Sequence, residues 1–144
     1  MAEQNYRNHA QTVPLFHYVL FALILLILIG SGINVWRAVE HSHGRSSAVL
    51  ILLLDIAVLI TALCARMFAL KAQDRAIRAE ENLRHYVLTG KLLDPRLTMR
   101  QIIALRFAPD EEFLALAQRA AADSLAPDAI KREVRNWRAD NWRA

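Results

Sequence analysis

The chain has 144 residues, a formal net charge of +4 and a single cysteine, Cys64, so an intrachain disulfide is excluded. Only four glycines are present, and the sequence contains no phosphate-binding loop, dinucleotide-binding glycine pattern or nucleophile elbow. We therefore expect no enzymatic activity, no cofactor and no small-molecule substrate. Acidic and basic residues are interspersed in the second half, whereas nucleic-acid binders usually carry clusters of one sign, so nucleic acid is not an expected partner.

Two apolar runs dominate the first half of the chain. Residues 8–36 contain no Asp, Glu, Lys or Arg, and residues 48–65 contain a single charged residue, Asp55. About 20 apolar residues suffice for a helix to cross a bilayer, where a helix satisfies its own backbone hydrogen bonds. The first run is longer than the apolar core of an ordinary signal peptide, so we interpret it as an uncleaved span. The sequence therefore predicts a transmembrane helical hairpin in contact with membrane lipid.

The distribution of basic residues predicts the orientation of this hairpin. The short polar linker brings both termini to one side, which carries six basic residues near the membrane against two in the linker. By the positive-inside rule both termini are cytoplasmic, which in a bacterium places the protein in the inner (plasma) membrane. The predicted segments are a cytoplasmic N-terminal segment (1–13), transmembrane helix 1 (14–36), a periplasmic loop (37–46), transmembrane helix 2 (47–66), a helical stalk (67–90) and a cytoplasmic three-helix module (91–144).

The second helix is predicted to continue without a break into the stalk. Neither Gly nor Pro occurs between Gly44 and Gly90, and the stalk is rich in strong helix formers. Along this helix, small and apolar residues recur at alternating steps of three and four, which is heptad spacing, and small residues permit close helix packing. We define the heptad seam as Ala62, Ala65, Ala69, Ala72, Ala76, Ala79, Leu83 and Tyr86.

The heptad seam admits two interpretations. Alanine is the best helix former, so its alanines could simply fill exposed positions. Alternatively, the seam packs against a partner helix, which could be the first span, a tail helix that folds back, a second copy of the chain or another membrane protein. Under the second interpretation, leucine in place of the alanines should disrupt an assembly.

Three short helices are predicted in the tail. Thr98 and Gln101 have capping-box spacing, which predicts the start of a helix that ends near residue 107. Pro109 and Pro127 suit first helical positions, because acidic residues follow each of them. No predicted helix carries a row of base-reading side chains, which argues against a DNA-binding helix-turn-helix. The last helix is predicted to place Ile130, Val134 and Trp137 on one apolar face.

The chain ends on a near-repeat of the sequence Asn-Trp-Arg-Ala. Tryptophan and arginine are frequent anchors at protein interfaces, and both also suit the headgroup region of a membrane. Trp137, Arg138 and Trp142 therefore form a candidate interface. The alternative is one buried tryptophan followed by one loose terminal tryptophan.

Asp55 is the one charged residue within the two apolar runs. In an antiparallel hairpin its depth lies near residues 28–32, so Ser31 is the expected hydrogen-bond partner and Asn34 the second choice. A carboxyl group within the bilayer is unfavourable unless it is paired or functional. We favour a neutral, hydrogen-bonded acid or a docking point for a polar group of a partner. The alternative is a proton- or ion-responsive residue of a transport or signalling system.

His17 lies near the cytoplasmic end of the first span. A membrane histidine can bind the metal of a haem or pigment, which would make the protein a small subunit of an electron-transfer or photosynthetic complex. A single histidine without a second ligand is more typical of an interfacial polar residue. His41 and His43 are too few for a structural zinc site, which needs four ligands. We expect no metal site, with His17 as the weak candidate.

Four segments resemble an uncharacterised bacterial family of small two-span inner-membrane proteins, known as a domain of unknown function. They are EQNYRNH (3–9), ARMFALKAQDRAIRAEENLRHYVLTGKLLD (65–94), LTMRQIIALRFAPDEEF (97–113) and NWRAD (136–140). The resemblance covers nearly the whole chain and implies a fold and a membrane location, but no catalytic residue. We therefore expect an all-α fold, in which a transmembrane hairpin has a long second helix extending into a small cytoplasmic helical module. The expected role is non-catalytic: an accessory or scaffolding subunit of an inner-membrane complex, or a homo-oligomer.

Overall fold

The computed structural model describes residues 5, 6, 8 and 12–140. Every regular element in this part of the chain is helical, which confirms the predicted fold class. A π-helical turn over Leu15–Leu20 leads directly into the first α-helix. The α-helices are α1 (Phe21–Glu40), α2 (Arg45–Thr89), α3 (Met99–Leu105), α4 (Asp110–Ala122) and α5 (Pro127–Glu133).

The chain divides into two compact units, which we describe separately. The hairpin unit comprises residues 12–69, and the tail unit comprises residues 70–140 together with the described residues near the N-terminus. Helix α2 contributes to both units, because the boundary between them falls within it.

Two helices are long and apolar enough to cross a membrane, judged by length and composition. They are Leu15–Glu40, with 26 residues, and Arg45–Thr89, with 45. In the most apolar 18-residue stretch of each, only 11% and 6% of the residues are buried. The core helices of soluble proteins bury their apolar faces, whereas these two helices leave most of theirs without cover from the described chain.

The turn of the hairpin unit is shorter than the predicted loop over 37–46. Helix α1 continues to Glu40 and α2 begins at Arg45, so only four residues separate them. Gly44 has a φ of 71°, a conformation that glycine adopts without strain. The Arg45 guanidinium donates hydrogen bonds to the Val39 carbonyl and the Ser42 hydroxyl, at 3.2 and 3.0 Å. The bond to Val39 satisfies one of the last carbonyl groups of α1, and the bond to Ser42 lies within the turn.

Each helix of the hairpin unit buries one narrow stripe. In α1 the buried residues are Ile24, Ser31 and Ala38, which recur every seven positions. In α2 Ala48 is buried and Asp55 is half-buried, again seven positions apart. Because the short turn makes the helices antiparallel, each stripe lies on a side that the other helix of the hairpin unit can cover.

The tail unit begins where helix α2 stops. Gly90 has a φ of 72°, and its N–H donates to the Tyr86 carbonyl at 2.7 Å, so the helix ends at the predicted end of the stalk. The predicted capping box of α3 is confirmed. The Gln101 N–H donates to the Thr98 hydroxyl, and the Gln101 side-chain oxygen accepts from the Thr98 N–H at 2.8 Å.

The tail unit has an apolar core of its own. Its largest fully buried side chains are Leu105, Phe107, Phe113 and Ile130, which come from α3, the turn after it, α4 and α5. Burial of a side chain of this size contributes about 1.5–3 kcal/mol. The short helices of the tail unit are therefore held by packing against each other, since isolated helices of this length are marginal in water.

The last helix is shorter than its periodicity predicts. Helix α5 ends at Glu133, and Val134 has an extended backbone, so Trp137 does not extend the helical face of Ile130. The reason is a tertiary contact: the Glu112 carboxylate accepts hydrogen bonds from the N–H groups of residues 135 and 136, at 2.9 and 3.1 Å. These N–H groups are thereby withdrawn from the helical ladder.

Candidate functional site

The heptad seam is largely exposed. In the tail unit its members Ala72, Ala76, Ala79, Leu83 and Tyr86 are all exposed, and in the hairpin unit Ala65 and Ala69 are exposed while Ala62 is half-buried. Leu83 and Tyr86 are 63% and 54% exposed, so the described chain leaves these two large side chains largely uncovered. Within the tail unit no tail helix covers its exposed seam positions, and within the hairpin unit the first span does not cover Ala65 or Ala69.

The tail unit covers a different face of helix α2. Ile77 and Glu81 are buried there, and Gln73 and Arg84 are half-buried. At 3.6 residues per turn, these positions lie about 100–180° around the helix from the centre of the seam. The heptad seam is therefore left open while the opposite side of the same helix carries the tail unit.

A charged cluster fastens α2 to the start of α4. Arg84 lies 3.1 Å from the Glu81 carboxylate and 2.6 Å from that of Asp110, and its guanidinium lies 4.2 Å above the Phe113 ring. Arg138 lies 3.8 Å from Glu81. Burial raises the pKa of Glu81, and the charges of Arg84 and Arg138 oppose this effect. The groups of this cluster are paired with each other, and they hold α2 against the start of α4 and against the C-terminal segment.

A second contact ties the C-terminal segment to α3. The buried Arg106 guanidinium donates to the Asp140 carboxylate at 2.8 Å. Next to it, the Trp137 ring lies 4.6 Å from the Phe107 ring, and the Arg138 N–H donates to the Phe107 carbonyl at 2.8 Å. Trp137 and Arg138, two members of the candidate interface, thus make contacts inside the tail unit, whereas Trp142 lies outside the described residues.

The Arg106 contact borders a polar cavity of about 290 Å³. Gln73, Glu81 and Arg138 also line it, and the Gln73 side-chain oxygen is buried without a hydrogen-bond partner among the described residues. The lining groups carry both signs of charge: Arg106 is paired with Asp140, and Arg138 is paired with Glu81. The cavity therefore presents no concentrated charge of one sign for an ionic ligand.

The polar residues of the two predicted spans do not form the expected pair. Ser31 is buried, but its hydroxyl donates to the Leu28 carbonyl of its own helix at 3.2 Å and not to Asp55. A helical serine readily donates a hydrogen bond to a carbonyl three or four residues earlier, and Ser31 makes this local bond instead of one to Asp55. Asp55 is half-buried, and its Oδ2 is buried with no hydrogen-bond partner among the described residues, while Asn34 is exposed.

His17 is half-buried in the π-helical turn. Its Nδ1 lies 3.0 Å from the Val13 carbonyl oxygen and 3.1 Å from the Val13 nitrogen, and its ring meets the Phe16 ring edge-on. One imidazole nitrogen is thus engaged by the local backbone. Among the described residues, no group of three or more His, Cys, Asp or Glu side chains is arranged to hold a metal ion.

The contact between Tyr6 and α5 could not be predicted from neighbouring residues in the sequence. The Tyr6 hydroxyl lies within hydrogen-bond distance of Asp128 and Arg132, and the Arg132 guanidinium lies 5.3 Å from the Tyr6 ring centre. More than 120 residues separate these partners, so neither helical periodicity nor capping rules could pair them. The contact attaches the N-terminal segment to α5.

Comparison with known proteins gives one match. No curated protein and no solved structure matches the chain. A family model described as a family of unknown function matches residues 1–144, which is the whole chain. This agrees with the resemblance seen in the sequence, and it assigns no activity to any residue. The chain belongs to DUF6526, a family of unknown function.

Proposed function

We propose that this protein is a non-catalytic integral membrane protein of the bacterial inner membrane, which acts as an accessory or scaffolding subunit of a larger complex or of a homo-oligomer. The observation that carries the proposal is the exposed heptad seam on α2. A long helix that has the tail unit on one side and a continuous stripe of small and apolar residues on the other is suited to receive another helix.

The location rests on the two long apolar helices and on charge. Both Leu15–Glu40 and Arg45–Thr89 have the length and composition of a membrane span, and their apolar side chains are largely uncovered. Apolar surface of this extent is stable in lipid and unfavourable in water. The excess of basic residues on the side of the termini supports a cytoplasmic location for both of them.

The charged groups of the two clusters in the tail unit are already paired with each other, which favours a structural role for them. Glu81, Arg84 and Asp110 contact each other, and so do Arg106 and Asp140. Each cluster joins segments that are distant in sequence, so its groups are occupied in holding the tail unit together. In the part of the tail unit that the structure describes, the apolar face of α2 is exposed and takes no part in these contacts.

The proposal is tested by the size of the detergent-solubilised protein. We expect the full chain, extracted in a mild detergent, to migrate on a native gel above the position of its monomer. Leucine at Ala65, Ala69, Ala72 and Ala76 should shift it towards the monomer, because larger side chains prevent close approach of the partner helix. Leucine at Ala115 and Ala122, which are exposed on α4, is the matched control and should leave migration unchanged. Migration of the wild type as a monomer, or of the four-fold variant as the wild type, contradicts the proposal.

A second candidate function is favoured by the bare carboxyl oxygen of Asp55. A buried Oδ2 without a partner marks a group that can bind a proton, an ion or a donor from another chain. In the first two cases the protein is a proton- or ion-responsive minor component of a transport or signalling system. Asp55→Asn should then abolish a pH- or ion-dependent response of membrane vesicles. If Asp55 instead docks a partner's polar group, the amide should preserve the assembly on a native gel.

A further inference from the structure

We propose that the occupant of the heptad seam in the tail unit is a second copy of this chain, bound in parallel and in register. This inference rests on the proposed membrane insertion, because two copies with the same orientation in one membrane have parallel α2 helices. Their seams then meet about a two-fold axis, so that each seam residue faces its own counterpart.

The large apolar side chains of the heptad seam are concentrated at the C-terminal end of α2. Leu83 and Tyr86 belong to the seam, and Val87 beside them is 74% exposed. These three side chains follow one another over little more than one helical turn, and they lie outside the predicted spans. A cluster of large apolar side chains in a polar environment marks an interaction surface. The small residues Ala72, Ala76 and Ala79 precede it, which lets two helices approach closely.

The charges beside the seam specify the partner and its register. With Ala76 and Leu83 at heptad position a, and Ala72 and Ala79 at position d, Arg75 occupies position g and Glu80 the following position e. In a parallel two-stranded coiled coil, the g residue of one helix contacts the e residue five positions later on the other helix. Arg75 and Glu80 are five positions apart, exposed and opposite in charge.

The same two residues argue against the antiparallel arrangement. In an antiparallel pair, position g faces position g and position e faces position e, so Arg75 of one copy does not contact Glu80 of the other. In the parallel pair the two-fold axis instead generates the Arg75–Glu80 contact twice. Neither residue makes an ion pair inside the part of the chain that the structure describes, so both are available to a second copy.

The parallel register is tested by disulfide cross-linking of the full chain in membranes, with Cys64→Ser as the background. Ala79→Cys places a thiol on the proposed axis, and we expect an oxidant to convert it to a covalent dimer. Arg78→Cys is the matched control, because Arg78 is the preceding residue and also exposed, but lies about 100° around the helix. We expect its dimer yield to be several-fold lower. Equal yields from the two variants would overturn the proposal.

Charge reversal in the Ala79→Cys background tests whether Arg75 of one copy contacts Glu80 of the other. Arg75→Glu or Glu80→Arg alone should lower the dimer yield about fivefold at low salt, since each places like charges in contact. The double variant should restore the yield, because it re-forms the two pairs with the charges exchanged. Failure of the double variant to restore the yield would overturn the register.

The native-gel experiment separates this inference from the proposed function. If the wild type migrates as an assembly while Ala79→Cys gives no more dimer than Arg78→Cys, the partner is a different protein; the scaffolding role stands and the second copy is wrong. If the wild type migrates as a monomer and neither variant cross-links, both proposals are wrong. An assembly together with selective cross-linking at Ala79 supports both.

Discussion

The buried guanidinium of Arg106 donates a 2.8 Å hydrogen bond to the carboxylate of Asp140, a residue 34 positions later in the chain. The Arg106 side chain is 5% exposed, so its charge depends on partners inside the protein. The contact closes the C-terminal segment onto α3 and thereby completes the tail unit.

Removal of this partner should destabilise the tail unit. We expect Asp140→Asn to lower the free energy of unfolding by about 1–3 kcal/mol, because the buried Arg106 loses its charged acceptor. Chemical denaturation of the full chain in detergent, in a background with Trp36→Phe and Trp142→Phe and followed by the fluorescence of Trp137, measures the change. Asp123→Asn, at an exposed carboxyl at the end of α4, is the control and should change the free energy by less than about 0.5 kcal/mol. Equal effects of the two substitutions would contradict this account of Arg106.

The raised pKa of Glu81 predicts a pH dependence of stability. A carboxyl whose pKa is higher in the folded state than its ordinary value of 4.5 binds its proton more tightly when folded. Its stabilising contribution is therefore complete below pH 4.5 and is lost as the pH rises through the raised pKa. The unfolding free energy of the wild type, minus that of Glu81→Gln, should increase as the pH falls from neutral. A flat or opposite difference curve would show that Arg84 and Arg138 outweigh burial.

Asp94 should titrate at unusually low pH. Hydrogen bonds from the Arg96 side chain and backbone lower the pKa of its carboxyl from 3.8 to about 2. The corresponding stabilisation is present above pH 3.8 and is lost as the pH falls through about 2. Arg96→Gln should move the Asp94 midpoint back towards 3.8, as measured by NMR of the carboxyl carbon in detergent micelles. An unchanged midpoint would mean that the 2.9 Å bond from the Arg96 N–H suffices alone.

Phe113 should be among the most sensitive core positions. Its ring is fully buried in the tail unit and lies below the Arg84 guanidinium. Phe113→Ala removes the buried ring together with its contact to Arg84, and it leaves a cavity in the core. We therefore expect a loss of about 3–5 kcal/mol in the free energy of unfolding. Leu92→Ala, at a side chain that is 67% exposed, should have little effect. Thermal unfolding by circular dichroism compares the two variants.

Local rules predicted the helix ends that depend on neighbouring residues. The Thr98–Gln101 capping box and the left-handed Gly90 are found at the expected ends of α3 and α2. Pro127 begins α5 as expected, whereas Pro109 is the residue before α4 and not its first residue. In each case the interacting groups lie within four residues of each other, so the sequence contains the relevant geometry.

Predictions failed where a distant group competes with a local one. Helical periodicity extends α5 through Val134 to Trp137, but Glu112 of α4 binds the backbone N–H groups that would continue it. In the hairpin unit, Ser31 is the predicted partner of Asp55, but its hydroxyl donates to the Leu28 carbonyl, so depth in the span did not decide its partner.

The order of residues in the chain by itself determined the all-helical fold, the two long apolar helices, the uninterrupted α2 and the caps, because these depend on composition and on contacts within a few residues. Only the tertiary structure decided that the tail unit covers the Ile77 and Glu81 side of α2 and leaves the Ala76 and Leu83 side open. Both sides carry residues at helical spacing, and periodicity cannot rank them. The choice depends on where Arg84 and Arg138 find their partners, which are brought close only when the chain has folded.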